Sequence, residues 1–274
     1  MENLKDLDRK KLSEIIKSLN EKTFQSEAQF QFDLAWKLHE KYKKCNVYLE
    51  DLCVVRKNEK NKIKQKYYTD IIVEQIMEQS YYRVAIELKY KTAELGIERE
   101  GKEIYLFDHG AVDLGRFDYL WDVHRIELLT GKSAKECVKE GNHLEVKKKC
   151  NKGFAVLLTN EKKYWEKWKQ KRNDILKPID WELRFDEEQK KLYNNHKGAD
   201  GKIQLDWQKD KTRFKKNKNN NYYPSAVLSN GKPTFRAQPI CLKEAYSYIW
   251  EDYSDLSYIN SKNGRFRYVI IEVK

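Results

Sequence analysis

Residues 67–91 read YYTDIIVEQIMEQSYYRVAIELKYK, two runs of strand-forming residues separated by the polar, turn-forming Glu78-Gln79-Ser80. Successive side chains on a strand alternate between faces, so Glu87 and Lys89 share one face while Ile86, Leu88 and Tyr90 take the other. Asp70 stands immediately before Ile71-Ile72-Val73, a place where strands disfavour aspartate. A turn after Gln75 folds the first run back on the second and brings Asp70 towards Glu87. The stretch therefore predicts a hairpin that carries two carboxylates and one amine side by side.

Working outward, 46–56 is a further strand, joined to the next through the polar 58–61, so two consecutive hairpins are expected. Before them, 6–19 and 26–42 show apolar residues at helical spacing, the second helix opening on Ser26 as N-cap with Glu27 in its first turn. After them, Gly96, Gly101 and Gly110 mark a loop. Residues 114–129 follow as a helix, and Phe154-Ala155-Val156-Leu157-Leu158 as a strand buried on both faces. Further on, 162–175 is expected to be helical, 181–185 and 203–207 to be short strands, 242–250 a helix and 265–273 a closing strand. The organisation expected is an N-terminal helix (1–25), a core (26–160) and a C-terminal α+β elaboration (161–274) with a basic flexible loop near 208–221.

The chain has 274 residues, of which 40% are hydrophobic, 36% charged and 13% aromatic, too aromatic for a disordered chain. Its net charge of +12 suits a polyanionic partner such as nucleic acid, and equally a lysine-rich proteome. Five scattered cysteines, Cys45, Cys53, Cys137, Cys150 and Cys241, lack metal-ligand spacing and read as reduced thiols. No apolar run approaches the length of a membrane span, so a cytoplasmic location without membrane contact is expected.

Phosphodiester hydrolysis needs a hard divalent cation to neutralise phosphate charge and generate hydroxide, and carboxylates with a backbone carbonyl suit Mg2+. Asp70 and Glu87 would supply the carboxylates. Lys89 could orient the attacking water, lower its pKa or stabilise the pentacovalent phosphate.

At Thr69-Asp70-Ile-Ile-Val and Ala-Ile-Glu87-Leu-Lys89-Tyr the chain resembles the PD-(D/E)xK, or restriction-endonuclease-like, nuclease superfamily, with Thr69 where the proline usually stands. The resemblance covers about 26–160 and implies an α/β fold with a mixed central sheet flanked by helices, in the order helix, three strands, helix, strand. It implies Mg2+ or Mn2+ held by Asp70, Glu87 and the Leu88 carbonyl, with Glu27 of the first helix completing the site. The crossover helix would be GRFDYLWDVHRIELL.

A Glu-x-Lys alone is not specific, and Glu272-Val273-Lys274 repeats it, with Asp255 upstream. No crossover helix can follow there, so an edge or closing strand with solvated charges is the better reading. Asp118, Asp122 and Arg125 form a polar stripe on the 114–129 helix, with Arg125 a candidate phosphate contact. His109 and His124 are candidate bases. Lys209, Lys211, Arg213, Lys215 and Lys216, with Phe214, Tyr222 and Tyr223 nearby, could contact a nucleic-acid backbone or simply form a solvated loop. The function expected is a metal-dependent DNA endonuclease, possible as a homodimer. The alternatives are a catalytically silent nucleic-acid-binding protein with the same fold and an RNA-directed nuclease.

Overall fold

The computed structural model describes residues 2–20, 22–99, 101–132, 142–167, 169, 180–190, 203–207, 215–216, 222–223, 228–229, 232–237, 239–259 and 262–274. Helix α1 (Arg9–Lys17) is preceded by a single 3-10 turn, so the expected 6–19 helix is shorter and starts at Asp8, whose side chain accepts from Lys11 N. Helix α2 (Glu27–Lys41) opens as expected, with Ser26 accepting from Gln29 N. Three long strands follow: β1 (Cys45–Asn58), β2 (Ile63–Met77) and β3 (Ser80–Lys91). The glycine-bearing segment after them is a hairpin, β4 (Leu95–Arg99) and β5 (Lys102–Leu106), not a plain loop; Gly101 at φ +72° makes its turn.

Next come α3 (Val112–Leu129), β6 (Asn142–Val146) and β7 (Lys152–Thr159). The expected 162–175 helix is one 3-10 turn, Lys162–Tyr164, followed by residues mostly outside the described set. Residues 181–185 begin as a 3-10 turn, Trp181–Leu183, instead of a strand. Short strands are β8 (Ile203–Leu205), β9 (Lys215–Lys216), β10 (Tyr222–Tyr223), β11 (Leu228–Ser229), β12 (Lys232–Pro233) and β13 (Ile240–Leu242). The expected 242–250 helix is extended chain that leads into β14 (Trp250–Asp255), and β15 (Arg265–Val273) ends the fold. In the 242–250 segment Tyr246, Tyr248 and Trp250 recur at a period of two, as extended chain does, and all three bury in the core around α3.

The protein is α/β, with a mixed seven-stranded sheet in the order β14-β15-β7-β3-β2-β1-β6. Among the described residues only β3 and β7 pair in parallel, and α3 lies on the connection between them. One face of the sheet, with Ile71, Val73, Ile86, Leu88 and Val156, packs under α1 and α2. The other, with Ala155, Leu157, Val269 and Ile271, packs under α3. Residues of the C-terminal part, among them Leu183, Phe185, Ile203, Leu205, Ile240 and Leu242, join the same core as α3, which is why α3 is buried nearly all round.

Gly153 on β7 permits the close approach of α3. A Cβ there would meet Ile126 Cγ2 at 2.2 Å and the Ala85 carbonyl at 3.2 Å, and neither a branched side chain nor a strand backbone yields cheaply. Gly153→Ala is expected to cost about 1–3 kcal/mol, read as a lowered thermal midpoint; an unchanged midpoint would show that α3 can shift freely.

Cys45, Cys53 and Cys150 are buried free thiols, but Cys241 is disulfide-bonded, so the expectation of five reduced thiols fails there. Among the described residues no helix is long and apolar enough to cross a membrane.

Candidate active site

The site is made by a fork in the sheet. Strand β2 pairs with β1 along nearly its whole length, but it pairs with β3 only from Ile71↔Ile86 to Met77↔Ser80. Beyond that point β3 keeps β7 on its other side, Glu87↔Ala155 to Lys91↔Thr159, and loses β2. Asp70 and Glu87 stand where the strands part. The freed N–H groups of β3 would be orphaned donors. Asp70 Oδ2 accepts from Leu88 N at 2.5 Å, and Glu27 Oε2, from the first turn of α2, accepts from Tyr90 N at 2.6 Å. Both carboxylates thus have a structural task as well as any chemical one.

Helix α3 lies over the same face and contributes Asp122 and Arg125. The Lys89 ammonium is 2.7 Å from Asp122 Oδ2 and donates to the Leu88 carbonyl at 3.0 Å. Arg125 donates to Glu87 Oε2 and lies 3.4 Å from Asp122 Oδ1. The structure therefore brings together Asp70, Glu87, Lys89, Glu27, the Leu88 carbonyl and Arg125. Sequence reasoning missed Gln31, whose Nε2 donates to the Asp70 carbonyl at 2.6 Å and to Glu50 Oε1 at 2.9 Å. Its signal was its position, one helical turn after Glu27 on the same face.

Burial pushes the Asp70 carboxyl up to about 7, against the opposing Lys89 charge. Burial likewise raises Glu87 well above the usual carboxylate range, with Asp122 and Asp70 adding like charge and Arg125 opposing. For Lys89 burial works against the charge, but Asp122, Glu27 and Asp70 outweigh it and keep the ammonium protonated. Arg125 is held charged in the same way, chiefly by Glu87 and Asp122.

Between the unfolded carboxyl's range near pH 4 and about pH 7, the folded state holds a proton on Asp70 that the unfolded chain has lost. Stability at this residue accordingly falls as pH rises through that window and is flat above it. In EDTA, the gain in thermal midpoint on going from pH 7 to pH 5 is expected to shrink in Asp70→Asn; an identical gain would show that Asp70 titrates normally.

The donor set fits a divalent cation. Four carboxylates, Glu27, Asp70, Glu87 and Asp122, face two cations, Lys89 and Arg125, and Glu87 Oε1 is buried without a hydrogen-bond partner. Among the described residues no three His, Cys, Asp or Glu side chains already surround one point. The residues that would hold the ion are Asp70, Glu87 and the Leu88 carbonyl, with Glu27 beside them; oxygen donors of this kind suit Mg2+ or Mn2+.

Other candidates fall elsewhere. Asp118 makes a bidentate pair with Arg236 at 2.7 and 2.8 Å, away from the fork. His124 is buried with Nδ1 2.7 Å from the Cys241 carbonyl, and burial lowers its pKa to about 4, so it serves packing and not proton transfer. Asp255 does lie on a strand, β14, opposite Arg265, with its carboxylate capping Ser257 N; Glu272 sits seven residues further along β15, roughly 23 Å away. Strand β15 is interior, flanked by β14 and β7, so it is not an edge, and no second site forms. Lys209, Lys211 and Arg213 lie outside the described residues, while Lys215 and Lys216 form β9, paired with β10.

No protein-family model, no curated protein and no solved structure matches the chain.

Proposed function

We propose that the chain is a metal-dependent nuclease of the PD-(D/E)xK kind, with the fork between β2 and β3 as its active site and DNA as its substrate. The observation that carries this reading is the placement of Asp70, Glu87 and Lys89 on one sheet face, in a largely buried cluster whose carboxylates outnumber its cations. The order α2, β1, β2, β3, α3, β7, with β3 and β7 parallel, supports a restriction-endonuclease-like core.

Mg2+ or Mn2+, when bound, supplies charge neutralisation at the phosphate and activation of water. The chain's own residues do the rest. Asp122 fixes the Lys89 ammonium beside the Leu88 carbonyl, and its proton stays on, so Lys89 orients water and offsets developing phosphate charge; it does not accept a proton. Gln31 and the Leu88 N–H hold Asp70 in place from two sides.

One observation favours a silent nucleic-acid-binding module instead: Arg125 already neutralises Glu87. Incubation of purified protein with supercoiled DNA, linear DNA and RNA, each with Mg2+, Mn2+ or EDTA, separates the readings. Cleavage of DNA that needs metal is expected; cleavage of RNA alone would move the reading to an RNA-directed nuclease, and none at all to the silent module. Calorimetric Mn2+ titration is expected to show affinity at least about tenfold weaker in Asp70→Ala. Unchanged affinity would remove Asp70 as a ligand.

A further inference from the structure

The freed edge of β3 continues past the charged cluster. Alternate residues of an extended chain present their N–H groups to one side, so Leu88, Tyr90 and Thr92 form a row, with acceptors about 6.6 Å apart. Asp70 and Glu27 take the first two, and His109 Nδ1 accepts from Thr92 N at 3.0 Å. The segment that carries His109 is fastened to Thr92 twice more. His109 N donates to the Thr92 carbonyl at 2.9 Å, and Thr92 Oγ1 donates to the Phe107 carbonyl at 2.6 Å.

Three groups at this edge, His109 Nε2, the Phe107 ring and the Lys91 ammonium, have no hydrogen-bond or ion-pair partner among the described residues. With Nδ1 committed as an acceptor, the neutral His109 imidazole carries its proton on Nε2 and can only donate there. Burial and the nearby Lys91 charge hold its pKa below the ordinary value, which keeps it neutral at pH 7. Phe107 is 72% exposed, and its ring stands edge-on to Tyr105 at 4.9 Å, Tyr105 being tied by its hydroxyl to Glu94. Lys91 lies two residues after Lys89, on the face that carries Glu87, and makes no ion pair among the described residues.

The geometry points to a substrate subsite made by Lys91, Phe107 and His109, which holds single-stranded or locally unpaired nucleic acid next to the scissile phosphodiester. The Lys91 ammonium and the His109 Nε2–H meet phosphate oxygens, and the Phe107 ring stacks on a base that is free of a partner. A fully paired duplex offers no base face to Phe107, so unpaired substrates are preferred. This inference rests on the nuclease reading above.

His109→Asn separates anchoring from binding, because Asn Oδ1 can still accept from Thr92 N while the ε donor is gone. Binding of a fluorescein-labelled single-stranded oligonucleotide and of its duplex is measured in EDTA, where no cleavage occurs, for wild type, His109→Asn, Phe107→Ala and Lys91→Ala, each checked by thermal melting. Tighter binding of the single strand is expected. Phe107→Ala is expected to weaken it about tenfold and His109→Asn about threefold to tenfold, with melting unchanged. Lys91→Ala is expected to reduce the slope of log K against log salt by about 0.7, and His109→Asn to leave that slope unaltered. Wild-type binding with all three variants equal to it would overturn the subsite alone, as would equal affinity for single strand and duplex. A wild type that binds no nucleic acid at all would overturn the nuclease reading and this one with it.

Discussion

Lys89→Met is expected to lower the cleavage rate by about 10²–10⁴-fold at saturating DNA and Mg2+, with DNA binding in EDTA nearly intact. The ammonium is held by Asp122 at 2.7 Å and by the Leu88 carbonyl at 3.0 Å, so its position beside the carboxylates is fixed before any substrate arrives. Methionine keeps the stem and removes the charge. It also leaves Asp122, 4% exposed, with Arg125 as its only close cation among the described residues, so some stability is lost; Lys89→Met with Asp122→Asn is expected to restore the melting behaviour without restoring the rate. Single-turnover kinetics check this, because they report the chemical step apart from product release. A rate within about threefold of wild type would remove Lys89 from the chemistry.

Arg125→Met is expected to destabilise the metal-free protein by about 3 kcal/mol, roughly 6–12 °C in thermal midpoint. Glu87 is 1% exposed, and Arg125 is the cation that contacts it, so the substitution forces it either to take up a proton or to remain an unpaired buried charge. If the site takes a divalent ion, the ion replaces the missing cation. Added Mn2+ should then raise the thermal midpoint of Arg125→Met by more than that of wild type, since in wild type the ion must compete with the guanidinium for Glu87. Equal Mn2+ shifts in both proteins would show that Arg125 and the ion do not share a ligand. Cleavage by the variant tests a separate matter, the expected contact of Arg125 with phosphate.

Local patterning carried the sequence reading far where it depended on neighbours in the chain. Alternation placed Glu87 and Lys89 on one face, Ser26 marked the start of α2, and the polar 78–80 break marked the turn between β2 and β3. Beyond residue 162 the same rules placed the strands at 203–205 and 265–273 but failed at 162–175, 181–185 and 242–250, where short segments owe their form to the surface they cover. Residues 242–250 run extended, with Tyr246, Tyr248 and Trp250 at the period of two that extended chain shows; they bury in the core around α3 and hydrogen-bond to Glu127 and to the Asp186 and Phe185 carbonyls, contacts with residues far away in the chain. His124 looked available as a base and Asp118 as part of a polar stripe, yet the C-terminal part of the chain covers the first and pairs the second through Arg236.

By itself the sequence determined which residues could meet across one hairpin, because strand alternation and turn chemistry act over a few residues. Only the tertiary structure decided that β2 and β3 part at Asp70, that the freed N–H groups of β3 draw in Asp70, Glu27 and His109, and that α3 brings Asp122 and Arg125 down on Lys89 and Glu87. Where a ladder ends, and which stripe of a helix meets a sheet, depend on packing between segments far apart in the chain, and no local pattern encodes that.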